Sequence, residues 1–198
     1  MRVVDGEGIT RFTKIACEQL SRGNVSRIIL ISPWIGSRKS SMFPNQRLIK
    51  AIVEAKRRKK ISCYLEIFSR PPDLDDFASG GIYHATALFE FLNLERSVIY
   101  FINNLHTKLY YMSFKDNYMG GSYTMFGSAN WTWQAESKKN VEVLLEIQGT
   151  QNLLTEMMLR SGYTGLKRLS SCHLTKKLAG KNRISNPTEL ADFSRINS

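Results

Sequence analysis

An α/β fold, with a mixed β-sheet flanked by helices on both faces, follows from three features of the 198-residue sequence. Helix-spaced segments alternate with short β-rich apolar runs over the first half of the chain, the pattern of β-α-β units. Strand-like runs then follow one another with no helix between them, which calls for antiparallel pairing. Hydrophobic residues at 42% against 23% charged supply enough apolar surface for a real core without disulfides or metals.

The elements read in order. Residues 8–22 place Ile9, Phe12, Ile15, Ala16 and Leu20 at helical spacing, and Gly23 can stop the helix. VSRIILIS (25–32) is short and apolar enough for a buried strand, and Pro33-Trp34-Ile35-Gly36 is loop chemistry. Asn45 can cap a helix carrying Leu48, Ile49, Ile52 and Val53. That helix runs into Lys56-Arg57-Arg58-Lys59-Lys60, cations that complement its C-terminal dipole.

ISCYLEIF (61–68) alternates as a strand, residues 69–81 are loop, and residues 82–94 read as a helix. SVIYFI (97–102) is a strand. TKLYYMSF (107–114) and SYTMFGS (122–128) flank a turn rich in Asp, Asn and Gly and form a hairpin. VEVLLEI (141–147) is a further strand, and residues 151–160 form a short helix. Beyond residue 161 the apolar spacing weakens and cations dominate. The chain therefore divides into a domain over 1–160 and a basic, partly mobile C-terminal extension over 161–198.

Lys and Arg number 28 against 17 Asp and Glu, a net charge of +11 that suggests a polyanionic partner. No apolar run approaches a bilayer span, and MRVVDGEGIT lacks the layout of a signal peptide. Three cysteines, Cys17, Cys63 and Cys172, show no CxxC spacing, so a disulfide framework or zinc knuckle is not expected. A reducing, cytoplasmic setting with no membrane partner fits this pattern. The three histidines, His84, His106 and His173, cannot build a His-rich metal site, and no P-loop or GxSxG elbow occurs. No cofactor is expected.

His106-Thr107-Lys108 is the informative stretch. On a strand, positions 106 and 108 share a face, as do Ser128 and Asn130 of Gly127-Ser128-Ala129-Asn130. If these segments pair, one surface carries a nucleophile and three groups suited to phosphoryl oxygens. Glu142, on the next strand, can hold the imidazole in one tautomer. Singly, each residue is more often an ordinary strand or turn residue; the ordered combination is what carries the argument.

The combination resembles the phospholipase D superfamily, whose HKD motif reads HxKxxxxD followed by Gly-Ser and Asn residues. His106-Thr107-Lys108, Gly127-Ser128-Ala129-Asn130 and Asn140-Val141-Glu142 match it. Ser32-Pro33-Trp34-Ile35 after a strand is similar to single-motif bacterial nucleases of this group, including metal-independent restriction endonucleases. The likeness spans residues 10–148. Two departures stand out: Ser113 occupies the place of the motif Asp, with Asp116 three positions late, and the hairpin tip over 115–121 is enlarged.

The resemblance implies a phospholipase D-like fold and a metal-independent phosphodiesterase, an endonuclease acting on nucleic acid, DNA before RNA. Cleavage would pass through a phosphohistidine at His106, with Lys108, Ser128 and Asn130 stabilising the phosphoryl oxygens and Glu142 beside His106. One motif per chain implies a homodimer in which two copies of His106 meet. Lys56, Arg57, Arg58, Lys59, Lys60, Trp131, Lys167 and Arg168 are candidate nucleic-acid contacts, Trp131 by base stacking. Two alternatives stay open: a catalytically weak nucleic-acid-binding module, and a phospholipase or phosphatidyl transferase. His84 and His173 carry no assigned role.

Overall fold

The computed structural model describes residues 2–4, 8–36, 44–58, 63–75, 81–132, 142–149, 167–170 and 172–197. In chain order the elements are β1 (Arg2–Val4), α1 (Gly8–Ser21), β2 (Val25–Ile31), β3 (Ile35–Gly36), α2 (Pro44–Arg57), β4 (Tyr64–Ser69), α3 (Gly81–Leu92) and β5 (Ser97–Phe101). Then come β6 (Leu109–Phe114), β7 (Ser122–Gly127), β8 (Trp131–Thr132), β9 (Leu144–Gln148), β10 (Cys172–Thr175), α4 (Lys176–Lys181) and α5 (Pro187–Ile196). The helix expected over 151–160 lies outside the described residues.

Eight strands form one mixed sheet in the order β1-β9-β7-β6-β2-β4-β5-β10. β2, β4 and β5 are parallel, joined by crossovers through α2 and α3, and the β6–β7 hairpin and β9 are antiparallel. Strand alternation divides the apolar residues between two faces. Ile28, Leu30, Leu65, Ile67, Ile99, Tyr110, Met112, Tyr123 and Met125 join α1, α2 and α3 in the main core. Ile29, Ile31, Phe68 and Tyr111 point the other way and form a second cluster with Ile102 and Leu105.

Two expectations are corrected here. Residues 172–197 are not a loose extension: β10 pairs antiparallel with β5 as an edge strand, and α5 packs on α3. Leu174, Ala179, Ile184 and Leu190 reach the main core, but they are too widely spaced to register as a periodic pattern. The helix signal was nonetheless present in Asn186-Pro187-Thr188-Glu189, where Asn186 Oδ1 accepts from the Glu189 N–H at 2.9 Å and Pro187 opens α5. Second, Ile35–Gly36, expected as loop, pairs in parallel with Trp131–Thr132 in a separate two-stranded ribbon. A side chain at Gly36 would lie 2.7 Å from the Tyr83 carbonyl, so α3 can close on this ribbon only over glycine.

Candidate active site

The parallel strands bring their carboxyl ends, at Ser32, Arg70 and Ile102, to one edge of the sheet, the usual ligand edge of open α/β sheets. The antiparallel register brings the motif to the same edge. Leu109 opposes Ile31 on one side and Phe126 on the other, and Gly127 opposes Leu144. His106 and Lys108 therefore lie just before β6, Ser128 and Asn130 just after β7, and Glu142 just before β9. The strand expected from residue 107 begins at Leu109, so His106 and Lys108 sit in irregular chain at the strand's mouth.

Close backbone packing fixes the Gly-Ser-Ala-Asn turn. A side chain at Gly127 would lie 2.1 Å from the Val143 carbonyl. The Ser128 N–H donates to that carbonyl at 3.0 Å, and the Tyr110 hydroxyl donates to the Ala129 carbonyl at 2.6 Å. Burial pushes the Tyr110 phenol up, so it remains a neutral donor. Ser128 Oγ donates to Glu142 Oε2 at 2.7 Å and accepts the Val143 N–H at 2.9 Å. The contact expected between Glu142 and His106 is thus replaced by one between Glu142 and Ser128. Asn130 Oδ1 is shut away from solvent with no hydrogen-bond partner among the described residues.

His106 is exposed, and among the described residues its ring is met by Arg70 alone. Arg70 Nη2 lies 2.9 Å from Nε2 and 3.2 Å from Nδ1. Arg70 Nε donates to the Leu105 carbonyl at 2.9 Å, and the guanidinium stands 5.9 Å from the centre of the Trp34 ring. Sequence reasoning missed this arginine. It belongs to no motif, and only the pairing of β4 with β5 carries it to a residue 36 positions further on.

His84 was also missed. Its ring is buried against Trp34, and burial pushes its pKa down. Nε2 lies 3.0 Å from the Arg70 carbonyl, and Nδ1 lies 2.8 Å from the Ile35 carbonyl and 3.0 Å from the Ile35 N–H, so each ring nitrogen meets the backbone of a different segment. His84 therefore ties α3 to β3 and to the segment that delivers Arg70.

The remaining candidates scatter. Trp131 is fully buried, packs edge-on against Phe12 and Tyr110, and donates Nε1–H to Asn45 Oδ1 at 3.2 Å. It cannot stack on a base, and Asn45 serves the indole instead of capping α2. Lys56 pairs with Glu95, while Arg57 and Arg58 are exposed at the end of α2. Lys59 and Lys60 lie outside the described residues. Lys167 sits 3.4 Å from Glu66 and over the Tyr100 ring, and Arg168 is exposed.

Ser113 lies five residues into the strand from Lys108, about 17 Å away at a strand's rise. It meets Ser26, hydroxyl to hydroxyl, at 2.7 Å. Asp116 accepts from Asn24 Nδ2 and from the Tyr118 N–H, both at 2.8 Å, and anchors the hairpin tip. The departure from the motif is thus a change at the far end of β6. Among the described residues, no cluster of His, Cys, Asp and Glu could hold a metal ion.

A mixed sheet that presents His-x-Lys before one central strand and Gly-Ser-x-Asn after the next defines a phospholipase D-like α/β domain. The family model described as "Cardiolipin synthase, PLD-like domain" matches residues 26–158, and the chain belongs to that family, within the phospholipase D superfamily. Among solved structures the fold is similar to NucT from Helicobacter pylori, with 14% identity over 85% of this chain and 96% of that one and a TM-score of 0.50. It is also similar to phosphatidylserine synthase from Haemophilus influenzae, with 14% identity over 98% of this chain and 43% of that one and a TM-score of 0.53. The phospholipase D family member Nuc from Salmonella typhimurium aligns at 18% identity over 80% of this chain and 90% of that one, with a TM-score of 0.44. No curated protein matches the chain by sequence.

Proposed function

We propose that the chain is a metal-independent phosphodiesterase that cleaves nucleic acid, DNA before RNA, through a phosphohistidine at His106. The reading rests on the gathering of His106, Lys108, Ser128, Asn130 and Glu142, from three separate stretches, at one sheet edge with Arg70 beside them. The net charge of +11 favours a polyanionic substrate. Lys108 and Arg70 bring fixed positive charge to the place where a phosphoryl group would sit, the task a metal performs elsewhere.

In the first step a neutral His106 nitrogen attacks phosphorus, forming a P–N bond as the P–O bond to the leaving group breaks. The leaving oxygen takes its proton from a second imidazole. In the second step water attacks phosphorus, gives its proton to that second imidazole, and the P–N bond breaks. One chain supplies one such histidine, so the second comes from another copy in a homodimer with one shared centre.

The test is DNA nicking in excess EDTA by wild type and by His106→Ala, with mixed dimers of the two. Cleavage should persist in EDTA, vanish with His106→Ala, and be nearly absent from mixed dimers. Activity that is lost in EDTA and restored by Mg²⁺, or mixed dimers with half of wild-type activity, would contradict the reading. The second reading is a phospholipase or phosphatidyl transferase, favoured by the family model's description as a cardiolipin synthase domain. Turnover of phosphatidylglycerol vesicles without DNA cleavage would favour it.

A further inference from the structure

We infer that Arg70 is a further catalytic residue: its guanidinium covers the His106 ring at rest and transfers to a phosphoryl oxygen when substrate binds. This rests on the phosphodiesterase reading of the same site.

The segment that carries Arg70 is held on several sides. The Ser69 carbonyl accepts the Ile102 N–H at 2.9 Å, and Ser69 Oγ donates to the Ser32 carbonyl at 2.8 Å. His84 holds the Arg70 carbonyl, and Pro71-Pro72 restrict the chain beyond it. The loop then passes so close to α3 that a side chain at Gly81 would lie 1.6 Å from the Asp73 carbonyl. An arginine that merely coated the surface would not need such a mount.

The charge around it points the same way. The half-buried Arg11 and Arg27 each have a carboxylate within 3.0 Å, whereas exposed arginines such as Arg57 and Arg58 are served by solvent. Arg70 is half-buried and, among the described residues, has no carboxylate; its acceptors are a carbonyl and an imidazole. A guanidinium cannot lose its proton near neutrality, so the ring nitrogen facing Nη2 must be a lone-pair acceptor. That lone pair is the one a nucleophile needs. A phosphoryl oxygen is a charged and stronger acceptor, and it can take the Nη2–H while Nε stays on Leu105. The exchange frees the nitrogen as phosphorus arrives and places the positive charge on the oxygen that gains negative charge in the transition state. Trp34, against the guanidinium face, limits where it can swing.

Two readouts test this. The first is binding of inorganic phosphate to the intact protein, followed by calorimetry and by the His106 ring proton resonances. Wild type should bind with a shift of those resonances, and Arg70→Ala should bind at least about tenfold more weakly with the shift lost. No binding to wild type at tens of millimolar, or equal affinity in Arg70→Ala, would overturn the proposal whatever the natural substrate is. The second is cleavage in EDTA. Arg70→Ala should lower kcat by about 10²–10³-fold at an unchanged Tm. Arg70→Lys should recover only part of this, because it loses the fork to Leu105. Added guanidinium should rescue Arg70→Ala but not His106→Ala. Arg70→Ala within about threefold of wild type, while His106→Ala is dead, would overturn the role of Arg70 and leave the nuclease reading standing.

Discussion

The two ends of β6 use the same residue types in opposite ways. At the hairpin end, Asn24 is fully engaged: its amide donates to Gln19 and Asp116 and accepts from the Lys115 and Asp116 N–H groups. Ser113 is bonded to Ser26, and Asp116 closes its own turn. At the other end, Asn130 keeps a buried oxygen without a partner among the described residues, and His106 faces solvent against a cation. An unsatisfied polar group costs about 1–3 kcal/mol, and Gln19 Nε2 at the hairpin end is likewise buried without a partner among the described residues, so the contrast rests on His106. The histidines divide likewise: His84 is buried with both nitrogens occupied, and His106 is exposed. The proposed chemistry thus lies at one end of β6, and Ser113, bonded to Ser26, lies at the other.

The largest expected effect probes the scaffold beneath the reactive end. Trp131→Ala removes a fully buried indole and leaves a cavity between α1 and the sheet, so chemical denaturation should show a loss of about 3–5 kcal/mol. A loss under 1 kcal/mol would mean that Trp131 is not core. Next is Glu142→Gln, which keeps the shape but weakens the acceptor for Ser128. It should lower kcat about 10–100-fold with little change in Tm, whereas a change in Tm alone would move Glu142 to the structural side of the comparison.

The third concerns pH. Burial depresses the His84 pKa below its unfolded value, so the unfolded chain takes up a proton first as pH falls. Stability from this group is full above about pH 6.5 and declines as pH falls from there toward the folded pKa. His84→Gln should flatten that decline in a Tm-against-pH series; an identical slope would show that His84 is not the group responsible. The smallest effect lies at the hairpin end. Asp116→Ala should cost about 1 kcal/mol of stability and leave kcat unchanged, and Ser113→Asp should bring no gain in activity. A rise of tenfold or more with Ser113→Asp would erase the contrast between the two ends.

The parallel strands, the hairpin and the His-x-Lys and Gly-Ser-x-Asn segments were legible because each is a local pattern. Apolar alternation marks β2, β4 and β5, and the turn residues mark β6–β7. What escaped depends on contacts between distant positions. β10 has one fully buried apolar residue, Leu174, so its four residues carry little signal. Trp131 reads the same in sequence whether it faces a base or Phe12. Arg70 and His84 acquire meaning only when β4, α3 and the start of β6 are set side by side. The partnership of Ser128 with Glu142, rather than with the imidazole, follows from the backbone pairing of 128 with 143, which is tertiary.

If His106 is the nucleophile, its covalent intermediate can be trapped. An oligonucleotide phosphodiester with a p-nitrophenyl leaving group and a labelled phosphorus, quenched in alkali within the first turnover, should leave label on the protein. A phosphohistidine is a phosphoramidate, stable in base and lost in acid, so the label should survive alkali, vanish on acidification, and map to the His106 peptide. His106→Ala should carry none. A burst of nitrophenolate with no protein-bound label at any quench time, or label on another residue, would contradict the account.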